Sequence, residues 1–285
     1  MKPQGSKNTA SAPLKGDVVF SHEELQNIIT RLESDIISGY WMKAYYADTD
    51  LRLMPALVEQ ANKKYPEMNL QLAMTPESLT TLIKQTIDKG NQSSRFITNT
   101  GGSKIHFTVI DHHTIDGKTS LILFEPTTCE KMPAARLTLR IQTAVSDAQL
   151  PDCHFSIVEM DIQRSSSECG IFSLALAKKL HIESAKLARM HKDNISGVLC
   201  ESNTPLPSQK LDTYLPANFY KHTQGRRRLR EYIKSNPEAE NEKVNKKGET
   251  LTKRFERNLM TTEKGKKVSV SPHIKRVTEY KSLMI

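Results

Sequence analysis

The run from Asp161 to Leu180, Asp-Ile-Gln-Arg-Ser-Ser-Ser-Glu-Cys-Gly-Ile-Phe-Ser-Leu-Ala-Leu-Ala-Lys-Lys-Leu, constrains this chain more than any other stretch. A strand-like apolar segment, Cys153 to Ile162, enters a polar loop of three serines. Cys169 and Gly170 follow, and Ile171, Phe172, Leu174, Ala175, Leu176 and Leu180 then recur at helical spacing. The cysteine therefore falls in the first turn of a helix, where open amides and the helix dipole present a sulfur as a nucleophile. Gly170 is expected to leave room for a substrate carbonyl beside it. A small apolar cysteine capping a core helix would give the same local pattern. Two further features separate these readings.

Gln163 stands six residues before Cys169, near enough for its amide to donate to an oxyanion beside the sulfur. Upstream, Lys104 to Asp111 and Thr119 to Glu125 read as two strands joined by Asp116-Gly117, the dipeptide favoured by a two-residue type I′ turn. That turn opposes residues whose numbers sum to 233, so Glu125 faces Thr108. His106 and Glu125 are then diagonal neighbours on one face, roughly 7 to 8 Å apart along the backbones. A carboxylate on one ring nitrogen of His106 would fix its tautomer and support the imidazolium formed when the other nitrogen takes the thiol proton. His106, Glu125, Gln163 and Cys169 are the predicted catalytic set: base, orienting acid, oxyanion donor and nucleophile.

Such a set catalyses acyl transfer without choosing the acyl donor or acceptor. An amide donor with water makes a protease; a thioester donor with a protein hydroxyl or amine makes an acetyltransferase. Charge bears on the choice. From Lys221 to the end, 18 Lys and Arg stand against 8 Asp and Glu, a balance of +10, while the remainder carries 23 against 24. The excess sits in the C-terminal quarter, which favours a site for a concentrated anion over a generally basic protein. Nucleic acid is not expected there, because the Arg226 to Arg230 cluster is not interleaved with aromatics. Cys129, Cys153 and Cys200 are assigned to packing or surface in a reducing compartment, and His112-His113 adjoins no spaced ligand set, so no metal is expected.

Along the chain, residues 1–20 read as a disordered tail. Ser21 with Glu24 forms a capping box opening a helix to Gly39. Helices are predicted over Met54 to Lys64, from Thr75-Pro76-Glu77 to Gly90, over Pro133 to Ala148, over Ser184 to Cys200 and over His273 to Met284, with short strands at Asn69 to Met74 and Ser94 to Thr98. Asn203 to Pro216 reads as a proline-bearing loop. No apolar run reaches the 18 or so residues of a membrane span, so a soluble chain is expected. The fold inferred is α+β: a mixed β-sheet core with flanking helices and a helical lobe built from both ends. The divisions are 1–20, a tail; 21–50, the N-terminal part of the lobe; 51–216, the catalytic core; and 217–285, the basic part of the lobe.

Leu51 to Asn69, Asp116 to Pro126, Leu150 to Leu180, Phe219 to Gly225 and Lys275 to Leu283 resemble the YopJ family of bacterial type III secreted effectors. That family shares its cysteine fold with proteases of ubiquitin-like modifiers. His106, Glu125 and Cys169 fall on the family's catalytic positions. The resemblance implies export of the chain by a type III system, residues 1–20 serving as the signal, and action in the host cell cytoplasm. There an acetyl group from acetyl-CoA would load Cys169 and pass to Ser, Thr or Lys of host MAP kinase kinases, blocking their phosphorylation and innate immune signalling. It also implies activation by inositol hexakisphosphate, which suits the +10 lobe; His273, Lys275 and Arg276, with Arg226 and Arg228, are the candidate ligands, and Lys221 matches the family's autoacetylated lysine. The rival is a cysteine protease of ubiquitin-like conjugates with the same triad.

Overall fold

A computed structural model describes residues 20–101, 104–201, 204–262 and 265–285. The chain runs α1 (His22–Ser38), α2 (Ala47–Lys64), β1 (Leu70–Ala73), α3 (Pro76–Asp88), β2 (Ser93–Asn99), β3 (Phe107–Ile115), β4 (Lys118–Glu125), α4 (Met132–Asp147) and β5 (Cys153–Glu159). It continues with α5 (Cys169–Ile182), α6 (Ala188–Ile195), α7 (Ser208–Leu211), α8 (Arg226–Ser235), α9 (Leu251–Arg257), β6 (Leu259–Thr261), β7 (Lys267–Ser269) and α10 (Ser271–Lys281). The predicted capping box forms: Ser21 Oγ accepts from the Glu24 amide and Glu24 accepts from the Ser21 amide.

Five strands form one mixed sheet in the order β1-β2-β3-β4-β5, with β1–β2 and β4–β5 parallel and the central pairs antiparallel. The Asp116-Gly117 turn has positive φ at both residues, 50° and 78°, as a type I′ turn requires. Val109 accordingly pairs with Phe124 and Ile115 with Lys118, the predicted register. Alternation along the strands buries both faces. Phe107, Val109, Ile122 and Phe124 pack with α2 and α5 residues, whereas Phe96, Ile110, Leu121 and Leu123 pack with α3 and α4. An α+β sandwich of helix, sheet and helix results.

The two ends of the chain meet beside α5, where α10 packs on α1 and α5. At this junction the Arg276 guanidinium binds both oxygens of Asp50 on α2 at 2.9 and 3.0 Å and donates to the Ser167 carbonyl at 2.7 Å. Tyr280 adds its hydroxyl to Asp50, and all three side chains are buried. Some expectations are corrected. The lobe is not wholly helical, for β6 and β7 form an antiparallel ribbon. The single helix predicted from Ser184 is a 3-10 turn, Ser184–Leu187, followed by α6, which stops at Ile195 before Gly197 with its positive φ. Residues 204–216 are not all loop: they contain α7, and Leu206 bridges Val158 beyond β5. The predicted tail lies outside the described residues except for buried Phe20, over whose ring Arg52 stacks at 4.1 Å.

Arg276→Ala leaves the buried Asp50 side chain with Tyr280 but without its cationic partner, and the expected loss is about 3–5 kcal/mol of unfolding free energy. Urea denaturation without any polyanion measures it; an unchanged midpoint would contradict a structural role for this pair.

Candidate active site

The C-terminal ends of β4 and β5 carry the site. Four backbone bonds zip the chain after β5 onto the chain after β4: the amides of Met160, Asp161, Ile162 and Gln163 donate to the carbonyls of Glu125, Thr127, Pro126 and Pro126. The loop bearing Gln163 is thereby fixed beside Glu125. From this loop the chain turns into α5, whose first residue is Cys169, fully buried. The first-turn amides of any helix lack intrahelical acceptors, and Glu168, which precedes Cys169, gives those of α5 no side-chain cap.

His106 lies just before β3 and its Nε2 sits 3.1 and 3.0 Å from the two oxygens of Glu125. Glu125 has no solvent exposure, and its Oε1 also accepts from the Thr127 amide at 3.0 Å, which orients the carboxylate. With Nε2 taken by Glu125, Nδ1 is the ring nitrogen that remains for another partner, and Cys169 is near enough to act on the charge of the ring. Burial works against the charged ring, but the Glu125 charge and the bonds to Cys169 and Glu125 outweigh it and push His106 up to about 10. The structure thus brings three of the four predicted catalytic side chains together, His106 and Glu125 in direct hydrogen-bonding contact and Cys169 near enough to act on the imidazole's charge.

Gln163 is buried beside them, but its Nε2 donates to the Ser165 carbonyl at 2.7 Å, and its Oε1 has no partner among the described residues. The side chain predicted to donate to an oxyanion is thus turned onto its own loop. Gly170 corrects an expectation more fully. A Cβ there would lie 3.1 Å from Asp50 Cβ and Oδ2 and 3.2 Å from Met54 Cε, so its missing side chain admits α2 rather than a substrate.

A family model for YopJ Serine/Threonine acetyltransferase matches residues 25–282. The chain belongs to the YopJ family. It is 57% identical over 266 residues, 93% of this chain and 92% of the relative, to the serine/threonine-protein acetyltransferase YopJ of Yersinia pestis, and 56% identical to that of Yersinia pseudotuberculosis. Among solved structures it resembles a single-residue deletion variant of AvrA determined with inositol hexakisphosphate and coenzyme A, at TM-score 0.89 and 53% identity over 93% of this chain and 99% of that one. HopZ1a, with the same two ligands, shares the fold at TM-score 0.73 and 19% identity over 92% and 97% of the two chains.

This YopJ-family chain also has a cavity of about 260 Å³ on the side of α5 facing the C-terminal segments. Lys64, Lys178, Lys179, Lys221, His222 and Lys275 line it, against the single carboxylate of Glu279, which Lys178 and Lys275 already share. Ile162 and Phe172, close in sequence to Gln163 and Cys169, also line it. Burial, then repulsion from Lys179, Arg254 and Lys275, lowers Lys221 to about 8. The same two causes hold His222 well below the ordinary histidine value. Excess positive charge is therefore held here at a cost that an anion would remove.

Of the candidate polyanion ligands, only Lys275 lines this cavity. Arg228 is buried on Asp212, at 2.5 and 2.8 Å, and on the Met160 carbonyl. His273 is buried between the Leu32 carbonyl and Arg276, and Arg276 is held by Asp50. Arg226, half-buried, pairs with Glu256 at 2.6 Å. These charges are neutralised within the fold, which a count of basic residues does not reveal. Sequence reasoning missed Lys64, Lys178, Lys179 and His222, because they converge from separate segments.

His113 also has company the sequence did not show: its ring lies near Asp111 and buried His191, with one donor atom from each residue within 4.8 Å of the others. Arg95 occupies this cluster, its Nε 2.8 Å from Asp111 and its Nη2 3.2 Å from His113, so the carboxylate already serves a cation of the protein's own.

In Glu125→Gln the charge that raises His106 is gone while the burial that lowers it remains. The imidazole should then lose its proton at lower pH than in the wild type, as read by NMR of the ring carbons; an unchanged titration would contradict the role given to Glu125.

Proposed function

We propose that the chain is a YopJ-type effector acetyltransferase, moving acetyl from acetyl-CoA through Cys169 to Ser, Thr or Lys of host MAP kinase kinases. On this reading it is exported by a type III system, acts in the host cytoplasm and silences innate immune signalling by blocking activating phosphorylation. The observation that carries the chemistry is the buried His106–Glu125 pair beside Cys169 at the head of α5. Cys169 gives its proton to His106, and the sulfur attacks the acetyl carbonyl carbon. Gln163, released from Ser165, donates to the oxyanion together with the first amides of α5. The tetrahedral intermediate collapses with cleavage of the bond to the coenzyme's sulfur, which leaves with the proton from His106. In the second half-reaction His106 takes the acceptor's proton as the acceptor oxygen or nitrogen attacks the thioester, and that proton returns to the Cys169 sulfur.

Inositol hexakisphosphate activates by filling the lysine cavity, where Lys221 and Lys275 meet Lys64, Lys178 and Lys179. Its phosphates supply the counter-charge the cavity lacks. The solved structures of AvrA and HopZ1a with this polyanion support the reading. Lys221 is suited to autoacetylation, since a lysine lowered to about 8 is roughly one-tenth neutral at pH 7, and the neutral amine is the nucleophile.

Incubating the purified protein with labelled acetyl-CoA, inositol hexakisphosphate and a MAP kinase kinase tests the reading. Label on the kinase, abolished by Cys169→Ala with the fold retained, is expected; cleavage of a ubiquitin-like conjugate without label would support a protease instead. Polyanion binding should also depend on pH. An anion favours protonated Lys221 and raises its pKa, so binding takes up protons and weakens as pH rises through about 8. Calorimetric affinity that is level or rising between pH 7 and 9 would contradict the placement.

A further inference from the structure

The chain that lines the lysine cavity is the same chain that holds the oxyanion loop. Three residues after Lys221 comes Gln224, with no solvent exposure. Its Oε1 accepts from the Arg164 amide at 2.7 Å, the Ser165 amide at 3.1 Å and the Ser165 hydroxyl at 3.0 Å. Two backbone donors on one atom identify it as the carboxamide oxygen. Nε2 has no partner among the described residues, so the side chain acts through its oxygen alone. The backbone is equally committed: the Gln224 amide donates to the Ile162 carbonyl at 2.9 Å, and its carbonyl accepts from Ser269 in β7. Gln224 therefore grips residues 162, 164 and 165, on both sides of Gln163.

The other end of this short segment is in the cavity. Lys221 and His222 line it; the Lys221 carbonyl accepts from Arg254, and Arg254 and His222 share the Ser271 hydroxyl. An anion drawing Lys221 and His222 inward moves a segment whose next rigid attachment is Gln224. At Gly225 the packing is close again, since a Cβ there would lie 3.0 Å from Arg164 Nε. A shift of 221–225 thus reaches residues 164 and 165, and with Ser165 the carbonyl that now occupies the Gln163 amide.

We infer that Gln224 is a positioning residue: its carboxamide oxygen fixes the loop that carries Gln163 and couples occupancy of the lysine cavity to acyl transfer at Cys169. This rests on the acetyltransferase reading. Gln224 touches neither substrate nor the reacting atoms, and it acts through Ser165 and Gln163.

The test compares wild type, Gln224→Met and Gln224→Glu as full-length proteins, following acetyl loading of Cys169 by intact mass over a range of acetyl-CoA concentrations. Inositol hexakisphosphate affinity is measured in parallel by calorimetry. Methionine fills the space without an acceptor, whereas glutamate keeps the accepting oxygen and puts a second carboxyl oxygen where the unpartnered donor stood. Gln224→Met should lose at least about tenfold in the loading rate at saturating acetyl-CoA, with KM and polyanion affinity within about twofold of wild type. Gln224→Glu should stay within about threefold in rate, because every bond Gln224 makes through its side chain is retained. Wild-type loading by Gln224→Met would overturn the inference alone, as would a fall in its polyanion affinity matching the fall in rate. Absence of loading in the wild type would overturn the acetyltransferase reading and this inference with it.

Discussion

A carboxylate buried at the end of β4 is the constraint on which the site depends. Glu125 has no exposure to water, and ionised in such a place it needs hydrogen-bond donors and an opposite charge. The Thr127 amide and the His106 ring are what the fold provides. The imidazole is drawn in because the carboxylate requires a donor, and the carboxylate's charge favours a proton on the ring. Backbone pairing of 160–163 with 125–127 sets the nucleophile's loop at a fixed distance from the same carboxylate. His106, Glu125 and the head of α5 are brought together by the strand ends.

The same economy governs the basic C-terminal segments. Arg228 and Arg276 are withdrawn into the interior, each on an aspartate from elsewhere in the chain, Asp212 and Asp50. Arg276 also reaches the Ser167 carbonyl and lies 3.5 Å from Glu168, the two residues before the nucleophile. Burial raises the pKa of Glu168, and Arg276 opposes that rise. Arg276 thus ties the C-terminal helix to α2 and to the head of α5, while Arg228 ties α8 to Asp212 and Met160. Around the cavity the balance differs: five lysines line it against the single carboxylate of Glu279, which Lys178 and Lys275 share.

Much of the catalytic geometry was legible because short-range rules determine it. Asp116-Gly117 can be read as a two-residue turn, and once the turn is fixed the strand register follows by counting; His106 and Glu125 meet for that reason. Cys169 at the first position of α5 follows from the break between polar serines and helical apolar spacing. Long-range partners were not legible. Nothing local distinguishes Arg228 and Arg276, which are buried in ion pairs, from Lys221 and Lys275, which line a cavity, since the difference lies in Asp212 and Asp50. Gly170 was misread for a similar cause: the atoms that need its missing side chain belong to α2, more than a hundred residues earlier. Gln224 carries no sequence signal of its own, because its role is defined by three donors some sixty residues upstream.

The central claim is that Cys169, served by His106 and Glu125, carries the acyl group. Its most direct test is rapid mixing of the protein with acetyl-CoA and inositol hexakisphosphate, an acid quench, and peptide mapping. An acetyl group on the Cys169 peptide, released by hydroxylamine and appearing before any acetyl on Lys221 or a protein substrate, is the predicted result. Acetyl reaching an acceptor with none ever found on Cys169 would contradict it.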